Sequence, residues 1–278
     1  MNLRSLLFVP GDRPERFLKA ANSGADAIIL DLEDSVTSSN KKFARTAITN
    51  YLSEPQKVPT FVRINPLGGQ FAADDLHAIL KVNPAGIMLP KAESAASVVQ
   101  LQSLLGARAI PILPIAAETP SAVFQLGSFQ NVGDALIGLT WGAEDLSAAV
   151  GTATYRNDDG TCTAPYEMVR ALTLFGAHAA GISAIDTVFP DIKNLDGLRR
   201  HVRRSAQDGF VGMLAIHPAQ IETINAAFTP SPDEIDWAQS IVAAFSDNPG
   251  AGALELDGRM IDKPHLDKAI KLLKRAGL

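Results

Sequence analysis

Eight short apolar runs recur along this chain, each followed by a stretch with helical patterning, and that alternation limits the fold more than any other feature. The runs are Leu6–Val9, Ala27–Leu32, Thr60–Ile64, Gly86–Leu89, Ile112–Ala116, Ala135–Leu139, Ala184–Val188 and Gly212–Ile216. Most are continuously apolar instead of alternating, as strands covered on both faces require. Most starts are spaced by roughly 20–35 residues, the length of a strand and its crossover helix. Eight such units predict a (β/α)8 TIM barrel, although an open doubly wound sheet shares the same local grammar.

Helix signals fit between the runs. Pro14 suits a first turn, with Phe17, Leu18 and Ala21 directed inward and Gly24 as the stop. Ser94 to Leu105 places Ala95, Val98, Val99, Leu101 and Leu105 on roughly one side, with Gly106 ending it. The sixth and seventh runs are unusually far apart, and a polar loop, Tyr155 to Thr163, lies between them ahead of a helix starting near Pro165. After the eighth run two helical patterns remain, Asp233–Phe245 and Lys263–Arg275, flanking the glycine-rich stretch Asn248–Met260. The barrel is therefore expected over residues 1–222, with a C-terminal helical segment over 223–278.

A hydrophobic content of 46% supports a sizeable core, and a net charge of −5 argues against nucleic acid as the main partner. Phosphate recognition needs a clustered basic surface. Cys162 is the single cysteine, so neither an internal disulfide nor a thiolate metal cluster can form. The opening segment MNLRSLLFVPGDRPERF is broken by Pro10 and Gly11 and lacks a signal-peptide layout. No later stretch reaches the roughly 18 uninterrupted apolar residues of a membrane span. The expectation is a cytoplasmic protein with no membrane partner.

Barrels carry their chemistry at the C-terminal ends of their strands, so the polar residues that follow each run are the informative ones. They are Asp31, Glu33 and Asp34, then Arg63 and Asn65, Lys91 and Glu93, Glu118 and Thr119, Glu144 and Asp145, and His217. Taken singly, each carboxylate reads as a helix cap or a surface charge; together they make a carboxylate-rich ring with one arginine and one lysine. Glu118 and Asp145, on adjacent strand ends, are a candidate pair for Mg2+, which takes one or two carboxylates and completes its shell with water and substrate oxygens. Lys91 offers a Schiff-base alternative. The carboxylate excess favours the metal, because nearby anions oppose the lowered lysine pKa that route needs. His217, before Pro218, reads as a packed strand-end histidine. Arg13 and Arg16 read as solvated cations within reach of a nucleotide's phosphates.

The strings FVPGDRPERF, ILDLEDSV, VRIN, MLPKAES, ETP, WGAEDL, IHPAQI and DGRMID run in the order seen in the citrate lyase β-subunit-like family. The chain resembles that family from about residue 3 to about residue 276, and with it the malyl-CoA and citramalyl-CoA lyases and, more distantly, the class II keto-acid aldolases. The resemblance implies a (β/α)8 barrel that binds Mg2+, assembles as a homotrimer or hexamer, and cleaves a 3-hydroxyacyl-CoA thioester to acetyl-CoA and a 2-oxo acid. It also implies that Glu118 and Asp145 are metal ligands, with Glu118 contacting substrate as well. Arg63 would hold the substrate's oxygens, and Asp262 would be an acid that the C-terminal segment delivers to a neighbouring subunit's barrel. The chain departs from many relatives at Met213, where they carry a lysine ahead of the IHP string. A β-subunit acting on a carrier-protein thioester, and an aldolase acting on free 2-oxo acids, remain open alternatives.

Overall fold

The computed structural model describes residues 3–278. Chain contacts divide these residues into two compact units, 3–225 and 226–278.

The first unit is a ring of eight parallel strands in the order β5-β4-β3-β2-β1-β8-β7-β6. They are β1 (Ser5–Pro10), β2 (Ala27–Asp31), β3 (Thr60–Arg63), β4 (Gly86–Leu89), β5 (Ile112–Pro114), β6 (Gly138–Leu139), β7 (Ser183–Asp186) and β8 (Gly212–Ala215). Seven neighbouring pairs form ladders. The eighth seam, between β5 and β6, is closed by isolated parallel bridges, Ile112 to Leu136 and Ile115 to Thr140, with backbone amides of Ile137, Thr140 and Ala116 donating to the carbonyls of Ile112, Pro114 and Thr140. Pro114 has no N–H to contribute there, which helps to keep that ladder short.

Side-chain alternation assigns the two faces of the wall. Leu6, Ala27, Ile29, Phe61, Met88, Leu113, Ile115, Ile185 and Leu214 form one buried cluster, drawn from all but the sixth of the strands and partly covered by Phe8, Ile137 and Val188. This is the filled barrel interior. Asp31 and Arg63 continue the same faces as Ala27–Ile29 and Phe61, so the interior stack ends in charge at its C-terminal mouth. The opposite face, with Ile28, Leu30, Val62, Ile87 and Leu89, is equally buried.

The helices around the wall are α1 (Phe17–Ala21), α2 (Lys41–Leu52), α3 (Ala72–Ile79), α4 (Ala95–Leu105), α5 (Pro120–Val123), α6 (Ala143–Val150), α7 (Ala164–Ala179), α8 (Leu195–Asp208) and α9 (Ile221–Phe228), whose length spans the division between the units. α4 starts as expected: Ser94 Oγ accepts from the amide of Ala96. Two apolar assignments fail. Leu18 is 66% exposed and Val99 49%. Each directly follows a buried residue, Phe17 or Val98, and consecutive helix positions lie about 100° apart, so both cannot face the core. The sixth strand also starts later than its apolar run, because a 3-10 segment, Leu126–Ala135, takes up Ala135.

In the second unit, α10 (Pro232–Asp247) and α11 (Lys263–Ala276) bury Ala238, Ile241 and Ala269 between them. The glycine-rich stretch, read as a connection, contains an antiparallel hairpin of β9 (Ala253–Leu256) and β10 (Arg259–Asp262). Asp257 and Gly258 turn it with positive φ values of 49° and 74°, an Asp-Gly hairpin signature. Among the described residues no helix is long and apolar enough to cross a membrane.

Close packing of the wall gives a direct test. A Cβ built on Gly212 would lie 1.8 Å from the carbonyl oxygen of Leu3, a backbone atom that cannot swing aside. Gly212→Ala is expected to lower unfolding free energy by about 3 kcal/mol, the upper end of overpacking costs, measured by urea denaturation.

Candidate active site

The strand ends open into one cavity of about 330 Å3, lined on its polar side by Asp31, Asp34, Arg63, Glu118, Glu144 and Asp145. Phe8, Ile115, Trp141, Val188, Leu214 and Ile216 form its apolar side. Arg63 anchors the centre. Its Nε donates to Asp31 Oδ1 at 2.6 Å and its Nη2 to Asp31 Oδ2 at 2.7 Å, a bidentate pair across β2 and β3. Its guanidinium also lies over the Phe8 ring, 4.8 Å from the centroid.

Burial opposes ionisation of Asp31, yet Arg63, with hydrogen bonds from Ser35 and the Glu33 amide, outweighs it and holds the carboxyl below its usual range. The Glu33 amide and the amide and hydroxyl of Ser35, all donating to Asp31, fold the loop after β2 around it. Lys41 fastens that loop from outside: its Nζ donates to the carbonyls of Leu32 at 2.6 Å and Glu33 at 2.8 Å, and to Asn65 Oδ1 at 2.9 Å. A lysine in the first turn of α2 opposes the helix dipole. That misplacement was the available sign that its ammonium serves the loop.

Glu118 follows β5 and is 3% exposed. One oxygen accepts from the backbone amide of Lys91. Gly142 packs against the other side: a Cβ there would lie 2.6 Å from Glu118 Cγ and 2.9 Å from Oε1, so a larger residue would displace the carboxylate. Burial raises the Glu118 carboxyl to about 8; Asp145 and Glu33 add to the rise, and the Lys91 amide and charge oppose it. Lys91 Nζ donates to Glu33 Oε1 at 2.8 Å and lies 3.1 Å from Asp145 Oδ1. Glu33 Oε2 lies 2.9 Å from Arg63 Nη1 without an aligned hydrogen bond. Burial also pushes Glu33 up, against the charge of Arg63. Among the described residues, Arg63 and Lys91 are the cations that reach the side chains of Asp31, Glu33 and Asp145 in this mouth.

Arg63, Glu118 and Asp145 therefore share one mouth. Asp262 belongs to the other unit, where it caps the N-terminus of α11 and pairs with His265 Nδ1 at 2.5 Å. The hydrogen bond from His265 keeps its carboxyl below the usual range. Other strand-end residues have local duties. Asn65 bonds Asp75, Glu93 accepts from Thr119 and Ser121, and exposed His217 caps a 3-10 turn through Nδ1. Arg13 and Arg16 are exposed, in long ion pairs with Asp12 and Glu15. Met213 is buried in β8, and Cys162 is buried with its thiol raised to about 11 by desolvation.

A buried network joins β7 to α7 and α8, and the sequence expectations do not include it. Asp186, fully buried, accepts from Trp141 Nε1 at 2.8 Å, Arg170 Nε at 2.9 Å and Ser205 Oγ at 2.6 Å. Through Trp141 it fixes the segment that delivers Glu144 and Asp145. Above it, the Tyr155 hydroxyl donates to Glu144 Oε1 at 2.6 Å, tying the 155–163 loop to the same segment. The visible signal was an aspartate inside the apolar run SAID.

Burial alone would raise Asp186, but His201, Arg170 and Ser205 overcome it and hold the carboxyl far below its usual range. A depressed folded pKa contributes stability that is present above the ordinary aspartate range and is lost as pH falls. Asp186→Asn should therefore cost about 3 kcal/mol near neutral pH, as breaking a buried pair does. Its melting temperature should also fall less than wild type's between pH 5 and pH 3, with Trp141 fluorescence reporting the released indole.

The family model described as HpcH/HpaI aldolase/citrate lyase matches residues 4–218. The citrate lyase subunit beta-like protein of Mycobacterium tuberculosis is 39% identical over 281 residues, covering 100% of this chain and 98% of its own. A (3S)-malyl-CoA thioesterase of Cereibacter sphaeroides is 32% identical, covering 98% of this chain and 94% of its own. Among solved structures, M. tuberculosis CitE in complex with magnesium, acetoacetate and coenzyme A aligns with a TM-score of 0.83 at 38% identity, over 99% of this chain and 98% of that one.

Proposed function

This chain belongs to the HpcH/HpaI aldolase/citrate lyase family, and we propose that it is a Mg2+-dependent carbon–carbon lyase acting on a 3-hydroxyacyl-CoA thioester of the citramalyl or malyl type. The observation that carries this reading is the convergence of Glu118, Asp145 and Arg63 on one cavity at the barrel mouth.

The donor set fits magnesium. Among the described residues no group of three His, Cys, Asp or Glu side chains is placed to hold a metal ion by itself; Glu118 and Asp145 would supply two ligands and leave the remaining positions to water and substrate oxygens. The Glu118 carboxyl, raised by burial and further by Asp145 and Glu33, is in an environment that a dication relieves. Bound there, the ion supplies Lewis acidity to the oxygens of the substrate's carboxylate and 3-hydroxyl.

The chain's own groups carry the remaining work. Arg63, oriented by Asp31, turns its remaining N–H bonds toward the acyl oxygens and offsets their charge. The hydroxyl proton passes to water and the pair it leaves on oxygen forms the new C=O bond, while the C2–C3 bond breaks and its electron pair passes to C2 as the acetyl-thioester enolate. The other carbon departs as the carbonyl of a 2-oxo acid. Asp262, delivered by the C-terminal unit of a neighbouring copy in a homotrimer or hexamer, gives the enolate carbon its proton. In the condensation direction it removes one.

The test is acetyl-CoA release from citramalyl-CoA and malyl-CoA, each with Mg2+ and with chelator. Metal-dependent release from either supports the lyase. Malate and free CoA without 2-oxo acid would instead place the chain with its thioesterase relative. Glu118→Ala and Asp145→Ala should lose at least tenfold in Mg2+ affinity along with turnover, whereas Asp262→Asn should keep the metal and lose about a hundredfold in kcat, in the range of general acid–base contributions. Mixing Asp262→Ala with Arg63→Ala chains should restore part of the activity if the site is shared between copies.

A further inference from the structure

Lys91 touches both members of the carboxylate pair, by different parts of itself. Its backbone amide donates to Glu118, and its ammonium lies 3.1 Å from Asp145 Oδ1. The residue holds a left-handed backbone, φ 50°, which is uncommon for a side chain other than glycine, asparagine or aspartate. That conformation persists where the surroundings over-determine it. Here the amide is fixed on Glu118, and Ala92 N bonds Ile115 O at 3.2 Å on the neighbouring strand. The side chain is about one-third exposed, so the ammonium can move. Its second partner, Glu33, is 3% exposed.

We infer that Lys91 is a positioning residue that sets the divalent-cation affinity of this mouth. Its amide orients Glu118, while its ammonium shares Asp145 with an incoming cation and is drawn off by Glu33. This rests on the metal reading of Glu118 and Asp145. Two like charges cannot both crowd one carboxylate oxygen, so binding requires Lys91 to yield Asp145 and keep Glu33. Glu33 is therefore the seat to which the ammonium withdraws.

The experiment is Mn2+ binding followed by electron paramagnetic resonance, with Mg2+ as competitor, on the full chain without substrate. Lys91→Met removes the competing charge and should tighten Mn2+ by about tenfold, as expected for losing a like charge a few ångströms away. Lys91→Gly should also bind more tightly than wild type, and glycine accepts the positive φ without strain. Glu33→Gln should weaken binding, and most of that loss should disappear in the Lys91→Met background, the coupling expected of groups acting through one another. Unchanged or weaker binding in both folded Lys91 variants overturns the inference alone. No Mn2+ binding by wild type overturns the metal reading, and the inference with it.

Discussion

The bidentate pair between Asp31 and Arg63 is the interaction on which the mouth of the barrel depends. Both residues continue interior-facing rows of parallel strands, so they would stand as buried, opposed charges with or without a ligand. A buried charge is tolerated only when it is paired and its remaining hydrogen-bonding groups are satisfied. The loop after β2 meets that demand by wrapping Asp31 with Ser35 and the Glu33 amide, and Lys41 holds the loop in turn. The stacking of Phe8 against Arg63 joins this polar layer to the apolar core below. Pre-orientation of Arg63 is thus a product of folding, complete before any substrate arrives.

The second polar layer, around Asp186, shows the same logic at greater depth. Arg170, Ser205 and Trp141 saturate one carboxylate that has no access to water. Groups so placed contribute little net stability relative to an apolar replacement, but they allow few alternative arrangements. The return is positional: Trp141 cannot rotate without leaving its buried indole N–H unpaired, and the segment from Gly142 to Asp145 follows directly from it. Gly142, with no side chain, lets that segment lie directly against Glu118.

The barrel was legible in the sequence because strands buried on both faces leave continuous apolar runs, and a repeated strand–helix spacing has few topological solutions. The mouth was legible for a related reason: a charge at or shortly after the C-terminal end of such a run comes out at the rim, as Arg63, Glu118 and Asp145 do. Asp186 also ends its strand, but Ile185 takes the interior face there, and the partners Arg170 and Ser205 come from distant helices that no local pattern connects. Lys41 was hidden in the same way, since its target is a loop carbonyl. The hairpin at 253–262 escaped because glycine-rich sequence reads as a connection, although Asp257-Gly258 is a turn signal. Leu18 and Val99 show the opposite error, in which apolar character alone was taken for inward orientation.

The seam between β5 and β6 has a bearing on how the molecule breathes. Where the other strands are joined by ladders, this pair is joined by isolated bridges and a few backbone hydrogen bonds, and its amides should exchange accordingly. Glu118 emerges from one side of that seam and Asp145 from the other. Anything that spans the two carboxylates also stitches the barrel across that seam, so occupancy of the mouth and stiffness of the wall are coupled.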